Sequence, residues 1–190
     1  MSTTQPEQGS SARLLDALYF AAEMHRDHRR KGAIAAPYIN HPITVAHQLA
    51  AAGMDQNGDL LIAAVLHDVV EDTDTTLEEL GRRFGPRVAD IVGEVTDDKN
   101  VDWRSRKRMV VETIAGKSRE AQLIKLSDLI ANVTDLVQHP PNWTPEHQSG
   151  YLAWAEAVVN AMAGVHPALE SRFADVFQQV RESTKTAKRA

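Results

Sequence analysis

The chain has 190 residues and a mass of 21.0 kDa, which is the usual size of one compact domain. Its composition, 43% hydrophobic and 25% charged with no cysteine, is typical of a globular protein and excludes disulfides, thiolate catalysis and cysteine-bound zinc. The 21 basic and 26 acidic residues give a net charge of −5, so we expect no nucleic-acid partner. A phosphate-bearing ligand would need a local basic cluster or a metal ion.

The distribution of apolar residues excludes two further classes of protein. The longest uninterrupted apolar run, residues 60–66, is too short to cross a bilayer as a helix, so we expect no membrane partner. The N-terminal segment lacks the apolar core of a secretory signal, and the lack of cysteine fits a reducing compartment. We therefore expect a cytoplasmic protein, and the sequence leaves its oligomeric state open.

Helical periodicity runs through almost the whole chain, and no stretch alternates for long enough to predict a strand. We predict an all-α fold, a bundle of about nine helices in one domain over residues 11–183, between a flexible leader (1–10) and a flexible tail (184–190). The predicted helices cover roughly residues 11–29, 42–53, 58–72, 75–85, 86–95, 104–115, 121–137, 145–163 and 167–182.

Several of these boundaries follow from residues that favour helix ends. Pro42 suits the first turn of the second helix, and Gly53 can end it. Thr75 and Glu78 form a capping-box pattern that predicts the start of the fourth helix, and Pro86 opens the fifth. The third helix begins apolar on all sides, which predicts a central, buried element.

The third predicted helix changes abruptly from apolar to ionisable residues. After the apolar run it continues with His67 and Asp68 and, about one turn later, with Glu71 and Asp72. Burying such groups is costly without compensation, and the helix dipole opposes carboxylates at a C-terminus. The pattern therefore favours a functional site over a helix end that simply emerges into solvent. Imidazole and carboxylate groups are ligands that a divalent first-row metal accepts.

Two other segments supply groups of the same kind. His41 stands at the start of the second helix, where its ring can point inward, while Asp128 and Asn132 lie four residues apart in an otherwise apolar helix. A single aspartate in such a helix is more often a hydrogen-bonded structural residue than a ligand. Two histidines and two carboxylates from three helices, however, can form a metal site with positions left for water.

Several ordered motifs are together similar to those of a known family. His41, the pair His67-Asp68, and Asp128 resemble the H…HD…D signature of the HD-domain metal-dependent phosphohydrolases. Within that superfamily the chain resembles the hydrolase domain of RelA/SpoT proteins and its stand-alone form, the small alarmone hydrolase. The resemblance is carried by Arg29-Arg30-Lys31, Pro37-Tyr38-Ile39-Asn40-His41-Pro42, His67-Asp68-Val69-Val70-Glu71-Asp72-Thr73, Phe84-Gly85, Val95-Thr96-Asp97-Asp98-Lys99 and Lys125-Leu126-Ser127-Asp128.

The resemblance implies a metal-dependent enzyme that hydrolyses the 3′-diphosphate of guanosine tetra- or pentaphosphate, giving GDP or GTP and pyrophosphate. It implies one divalent ion, usually Mn²⁺ in this family, and an acidic pair, Glu71 and Asp72, that positions and deprotonates the attacking water. The implied ligands of the ion are His41, His67, Asp68 and Asp128.

The resemblance also implies a nucleotide pocket beside the metal. Arg30 and Lys31 would be the basic pair that lines it, and Tyr38 and Asn132 would stand on the wall that meets the nucleotide. An arginine offers a planar set of donors for phosphate or a face for stacking on a base, and a lysine adds a point charge. One of Trp103, Trp143 and Trp154 could also stack on a base, and the sequence does not decide which.

Some residues depart from the family or lack a functional pattern. Leu129 and Thr134 stand where the family commonly has basic residues, which leaves open how charge is balanced around the nucleotide. The remaining histidines have no ligand-like neighbours, so we expect surface or capping positions for His25, His28, His47, His139, His147 and His166.

Other functions remain open at the level of sequence. The same metal site could act on NADPH as a 2′-phosphatase or on another phosphorylated nucleotide, and the loop over residues 32–36 would decide between these substrates. A catalytically silent module that senses nucleotide has no chemical need for both the ligand set and the Glu71–Asp72 pair. A purely structural helical domain would leave the ionisable residues unexplained.

Overall fold

The computed structural model describes residues 10–32 and 35–187, and in this part of the chain the fold is all-α, as predicted. The predicted leader lies outside the described residues except for Ser10, which begins the first helix, and the last helix runs through residues 184–187 of the predicted tail. The helices are α1 (Ser10–Met24), α2 (Asn40–Leu49), α3 (Gly58–Leu66), α4 (Val69–Asp72), α5 (Leu77–Phe84), α6 (Pro86–Val95), α7 (Trp103–Thr113), α8 (Arg119–Gln138), α9 (Pro145–Ala161) and α10 (Pro167–Ala187).

The third predicted helix is divided in two by its polar residues. α3 ends at Leu66 and α4 begins at Val69, so His67 and Asp68 lie in the turn between them. The ring nitrogen Nδ1 of His67 lies 2.7 Å from the carbonyl oxygen of Ala64, the acceptor that the Asp68 N–H would use in a continuous helix. This turn directs both side chains toward the same side of the molecule.

Several other helix boundaries differ from the prediction, including that of α1, which ends at Met24 and not near residue 29. The cap of α5 is Thr76, whose Oγ1 accepts a hydrogen bond from the Glu79 N–H, and not Thr75, which is buried and paired with the Thr73 hydroxyl. α2 ends at Leu49, and the chain continues from its C-terminal end as a wider helical turn over Ala50–Met54. Within this turn Gly53 takes a φ of 92°, a conformation that favours glycine.

The hydrophobic core surrounds α3, whose residues from Leu60 to Leu66 are all buried. This helix packs against α1, α2, α6 and α8, which gives it the central position expected from its apolar sequence. α8 in turn packs against α2 and α10, so the ends of α2 and α3 and the middle of α8 meet in one place. Among the described residues no helix is both long and apolar enough to span a bilayer.

Candidate active site

Three helices bring histidine and carboxylate groups together in the interior. His41 lies in the first turn of α2, His67 follows the last turn of α3, and Asp128 lies in the middle of α8; all three are buried. One ligand atom from each lies within 4.8 Å of the others. Asp68 joins this group, because its Oδ2 lies 3.1 Å from Nε2 of His67 and 3.6 Å from Nε2 of His41. The structure thus brings the four predicted ligands together.

The surroundings of the His67 ring are those of a cation-binding group. The short contact of Nδ1 with the Ala64 carbonyl places a proton on Nδ1, so Nε2 is the nitrogen that can offer a lone pair to a metal ion. Nε2 is buried and makes no hydrogen bond among the described residues, yet it faces the Asp68 carboxylate. Beside this carboxylate Nε2 requires positive charge, which is either a proton on the ring or a metal ion in its place. The donor set of imidazole nitrogens and carboxylate oxygens is one that a divalent metal accepts.

The electrostatics of the group also favour a cation. Burial alone would raise the pKa of both carboxyls, but the His67 and His41 rings hold the pKa of Asp68 well below its usual range. The Lys125 ammonium and the His41 ring do the same for the pKa of Asp128. Burial of the His67 ring disfavours its charged form, but the two carboxylates outweigh burial and raise the pKa of His67 to about 9. Both acids are therefore ionised at neutral pH and attract positive charge.

Three neighbouring side chains fix the orientation of the two carboxylates. The Tyr38 hydroxyl donates to Oδ2 of Asp68 at 2.7 Å. The Asn132 amide donates to Oδ1 of Asp128 at 2.5 Å, and Lys125 Nζ donates to Oδ2 of the same residue at 3.3 Å. Such partners hold metal-binding carboxylates in one orientation. Tyr38 and Asn132, which the sequence placed on the wall of a nucleotide pocket, therefore also contact two of the predicted ligands.

The acidic pair lies on α4, immediately after the turn that carries His67 and Asp68. Glu71 is partly buried, and its Oε2 accepts a hydrogen bond from the Asp97 N–H at 3.3 Å. Burial raises the pKa of the Glu71 carboxyl, which makes it a better proton acceptor near neutral pH than an exposed glutamate. Asp72 is more exposed, with Oδ1 3.9 Å from Nζ of Lys99.

A cavity of about 360 Å³ lies beside this acidic and metal-binding group. Arg30 spans one wall: its Nε and Nη2 donate to Oδ2 of Asp135 at 3.1 and 2.7 Å, and Nη2 also donates to Oδ1 of Asn132 at 2.7 Å. The guanidinium lies 5.6 Å from the centre of the Tyr38 ring. The predicted site residues that line the cavity are Arg30, Lys31, Tyr38, Asp72 and Asn132.

Two aromatic residues complete the cavity. Trp143 lies in its wall beside Tyr151, with ring centres 5.4 Å apart, so Trp143 is the tryptophan next to the site. Trp103 is exposed, and Trp154 packs under the ammonium of Lys107. Tyr151 was missed by sequence reasoning. Its position on α9 becomes apparent only when that helix packs near α7 and α8.

His25 is a second residue that sequence reasoning missed. It was expected at the surface or at a helix cap, which is wrong, because it is 2% exposed and its ring lies 4.8 Å from the Tyr38 ring. The signal was present in α1, where Ala17 and Ala21 are buried and His25 continues their spacing of four residues. His25 therefore supports the tyrosine that donates to Asp68.

The two departures from the expected basic positions have structural explanations. Leu129 is fully buried in the core on α8, where a charged side chain would be costly. The hydroxyl of Thr134 donates to the carbonyl oxygen of Ile130 at 2.7 Å and lines a neighbouring cavity of about 340 Å³ on the other side of Arg30. Neither residue therefore places a charge in the wall of the cavity that Trp143 lines.

A model of the HD domain matches residues 17–138, which is most of the chain. The chain belongs to the HD-domain family. This HD-domain protein is 42% identical to the Drosophila melanogaster protein named guanosine-3′,5′-bis(diphosphate) 3′-pyrophosphohydrolase MESH1 over 89% of its own length and 95% of that relative. It is 43% identical to the Homo sapiens protein of the same name, with the same coverage.

The HD-domain protein is also similar to a solved structure described as a metazoan ortholog of SpoT that hydrolyses ppGpp. The TM-score is 0.85 at 40% identity, covering 93% of this chain and 98% of that one. A longer relative from Aquifex aeolicus, also named a guanosine-3′,5′-bis(diphosphate) 3′-pyrophosphohydrolase, matches over 63% of this chain but only 17% of its own length, at 42% identity. The resemblance inferred from the motifs is confirmed.

Proposed function

We propose that this HD-domain protein hydrolyses the 3′-diphosphate of guanosine tetra- or pentaphosphate, giving GDP or GTP and pyrophosphate. The observation that carries the proposal is the meeting of two imidazoles and two carboxylates from α2, α8 and the turn after α3 beside a second pair of acids and a cavity with basic residues. The names of the Drosophila and human relatives and the described activity of the solved SpoT ortholog support it.

The proposed cofactor is one divalent ion, Mn²⁺, held by His41, His67, Asp68 and Asp128. The mixed nitrogen and oxygen donors and the unpaired Nε2 of His67 support this assignment. When bound, such an ion lowers the pKa of water and offsets negative charge on phosphoryl oxygens. Tyr38, Lys125 and Asn132 keep the two ligating carboxylates in one orientation.

Glu71 and Asp72 are the proposed catalytic carboxylates. Attack on the phosphorus requires removal of a proton from water, and the partly buried Glu71, with its raised pKa, accepts that proton. Asp72 lines the cavity, so we assign it the role of orienting the same water. The water oxygen bonds to the phosphorus, the bond from that phosphorus to the 3′ oxygen breaks, and the 3′ oxygen takes up a proton. Pyrophosphate and GDP or GTP then leave.

Arg30 and Lys31 are the proposed substrate-binding cations. The net charge of −5 would repel a polyanion, so the local positive charge at this wall is what admits one. Tyr38, Asn132 and Trp143 present hydrogen-bonding and aromatic surface for the nucleoside. A cytoplasmic location, a single domain over residues 11–183 and the lack of nucleic-acid and membrane partners stay predictions.

The test is a comparison of products from several nucleotides. Metal-loaded protein is incubated with ppGpp, pppGpp, NADPH and GTP, and pyrophosphate and orthophosphate are measured separately. We expect pyrophosphate from ppGpp or pppGpp, its loss after chelation, and better recovery with Mn²⁺ than with Ca²⁺. Orthophosphate from NADPH without pyrophosphate from the guanosine nucleotides would identify a phosphatase instead, and activity that survives exhaustive chelation would contradict the metal mechanism.

A further inference from the structure

Arg106, on α7, is a charged residue beside the acidic pair that no role assigned so far explains. Its Nη1 lies 3.8 Å from Oε1 of Glu71, and among the described residues it is the only basic side chain within 4 Å of that carboxylate. The distance is too long for a hydrogen bond, so the contact acts through charge. Arg106 thus faces the oxygen of Glu71 that the Asp97 N–H does not hold.

The surroundings of Arg106 are unfavourable for a residue that serves stability alone. Its Nε is buried and has no hydrogen-bond partner among the described residues, and its side chain is only 26% exposed. A buried donor without a partner is costly, and such groups in native structures call for an explanation. The ion pair with Glu71 is the electrostatic compensation that the structure provides.

The position of Arg106 is fixed by contacts on both sides of it along α7. Asp102 caps the helix, its Oδ1 accepting hydrogen bonds from the N–H groups of Arg104 and Ser105, each at 3.1 Å. One residue beyond Arg106, the carbonyl oxygen of Lys107 accepts a hydrogen bond from Nε1 of Trp154 at 2.9 Å, which ties α7 to α9. The guanidinium is therefore presented to Glu71 from a rigid element.

Glu71 needs a positively charged partner because burial and two neighbouring carboxylates raise its pKa. The Asp97 and Asp68 carboxylates both disfavour its ionised form, and Lys125 on α8 acts in the opposite sense at longer range. The Asp97 N–H on Oε2 and Arg106 near Oε1 together restrict the carboxylate. Removal of Arg106 leaves Glu71 held at one oxygen only.

We propose that Arg106 is a positioning residue, which holds the Glu71 carboxylate in the orientation that accepts the proton of the attacking water. This inference rests on the proposed function of Glu71. It assigns Arg106 no contact with the substrate, so its effect is expected on turnover and not on binding of the nucleotide or the metal.

The test compares Arg106→Gln, Arg106→Lys and Arg106→Ala with a matched control on the same helix. For Arg106→Gln we expect kcat to fall roughly 10- to 100-fold, as for other residues that orient a catalytic group, with KM and metal content unchanged. Arg106→Lys keeps the charge and should recover part of kcat, and added guanidinium ion should raise the kcat of Arg106→Ala. The control, Arg108→Gln, removes an exposed pair with Glu112 that has the same 3.8 Å separation, and its kinetics should equal wild type.

A double mutant tests whether Arg106 acts through Glu71. Glu71→Gln should retain metal and lose turnover, and adding Arg106→Gln to it should lower kcat no further, because the two residues act as a unit. Effects that multiply, a kcat unchanged in Arg106→Gln, or a raised KM with unchanged kcat would each overturn the inference. If circular dichroism shows that Arg106→Gln is not folded, the kcat and KM of Arg106→Lys are used to test the inference in the same way. A fully active Glu71→Gln would remove Glu71 from the mechanism and overturn the inference with it. A wild-type protein inactive on guanosine polyphosphates would instead refute the proposed function.

Discussion

The two halves of the candidate site are built differently. On the metal side, His41, His67 and Asp128 are 5%, 4% and 8% exposed and come from helices that pack in the core. On the nucleotide side, Arg30 and Lys31 lie in the segment between α1 and α2 and are half-buried or exposed. Ligands of a metal need fixed positions, whereas a binding wall needs access to solvent, and the chain supplies each from the type of element that suits it.

The largest effect is expected from the buried half. Asp68→Ala removes one proposed ligand and the acceptor of the Tyr38 hydrogen bond. We expect no stoichiometric metal after purification and no detectable turnover, since three remaining donors hold an ion more weakly. Metal content is measured by mass spectrometry and turnover by pyrophosphate release. Asp90→Ala, an exposed acid on α6, is the control. Asp68→Ala protein with a full complement of metal would show that the other three donors suffice.

The exposed half should respond in binding and not in chemistry. Arg30→Ala removes a guanidinium hydrogen-bonded to Asp135 and Asn132 at the cavity wall. We expect KM for the guanosine nucleotide to rise roughly 10- to 100-fold, which is the effect of losing hydrogen bonds to a charged group, with metal content unchanged. Arg30→Lys keeps the charge but not the planar donor set, so it should recover only part of the affinity.

Initial rates over a range of nucleotide concentration, with metal content measured on the same samples, check this prediction. Arg26→Ala, which removes an exposed arginine paired with Glu23, is the control and should leave KM unchanged. An Arg30→Ala protein that loses its metal, or keeps its KM, would show that nucleotide binding and metal binding are not separated between the two halves of the site.

The metal side was the easier half to predict because its signal is local. The apolar run of α3 ends at His67, and a histidine and an acid at that point cannot be explained by helix periodicity. The break of the helix there was not predicted, because it depends on the His67 ring bonding to the carbonyl of Ala64, which no propensity reports. The all-α fold followed from repeated helical spacing in the same way.

The nucleotide side was harder because its residues are distant in sequence and come together only through packing. Trp143 could not be chosen over Trp103 and Trp154 until α8 and α9 were placed, and Tyr151 was not identified at all. His25 was expected at the surface or at a helix cap because it has no ligand-like neighbours in sequence, yet it is buried. Tertiary contacts of this kind leave little trace in the local pattern.

Tyr38 lies between the two halves, so a small change there can show where the boundary falls. Its hydroxyl donates to Asp68 on the metal side, while its ring lies against His25 and under the Arg30 guanidinium, 5.6 Å from the ring centre. Tyr38→Phe removes the hydroxyl and keeps the ring. We expect the dissociation constant for Mn²⁺ to rise about 10-fold, the lower end of the effect of losing a partner of a metal ligand.

Titration of metal-free protein with Mn²⁺, followed by turnover at saturating Mn²⁺, separates the two possible sites of action. Because the ring contacts remain, turnover and KM at saturating metal should return to nearly the wild-type values. Tyr19→Phe, an exposed tyrosine on α1, is the control for loss of a hydroxyl. A raised KM with unchanged Mn²⁺ affinity would mean that the Tyr38 hydroxyl contributes to nucleotide binding and not to metal binding. Tyr38 would then belong wholly to the nucleotide side, next to Asp68 on the metal side.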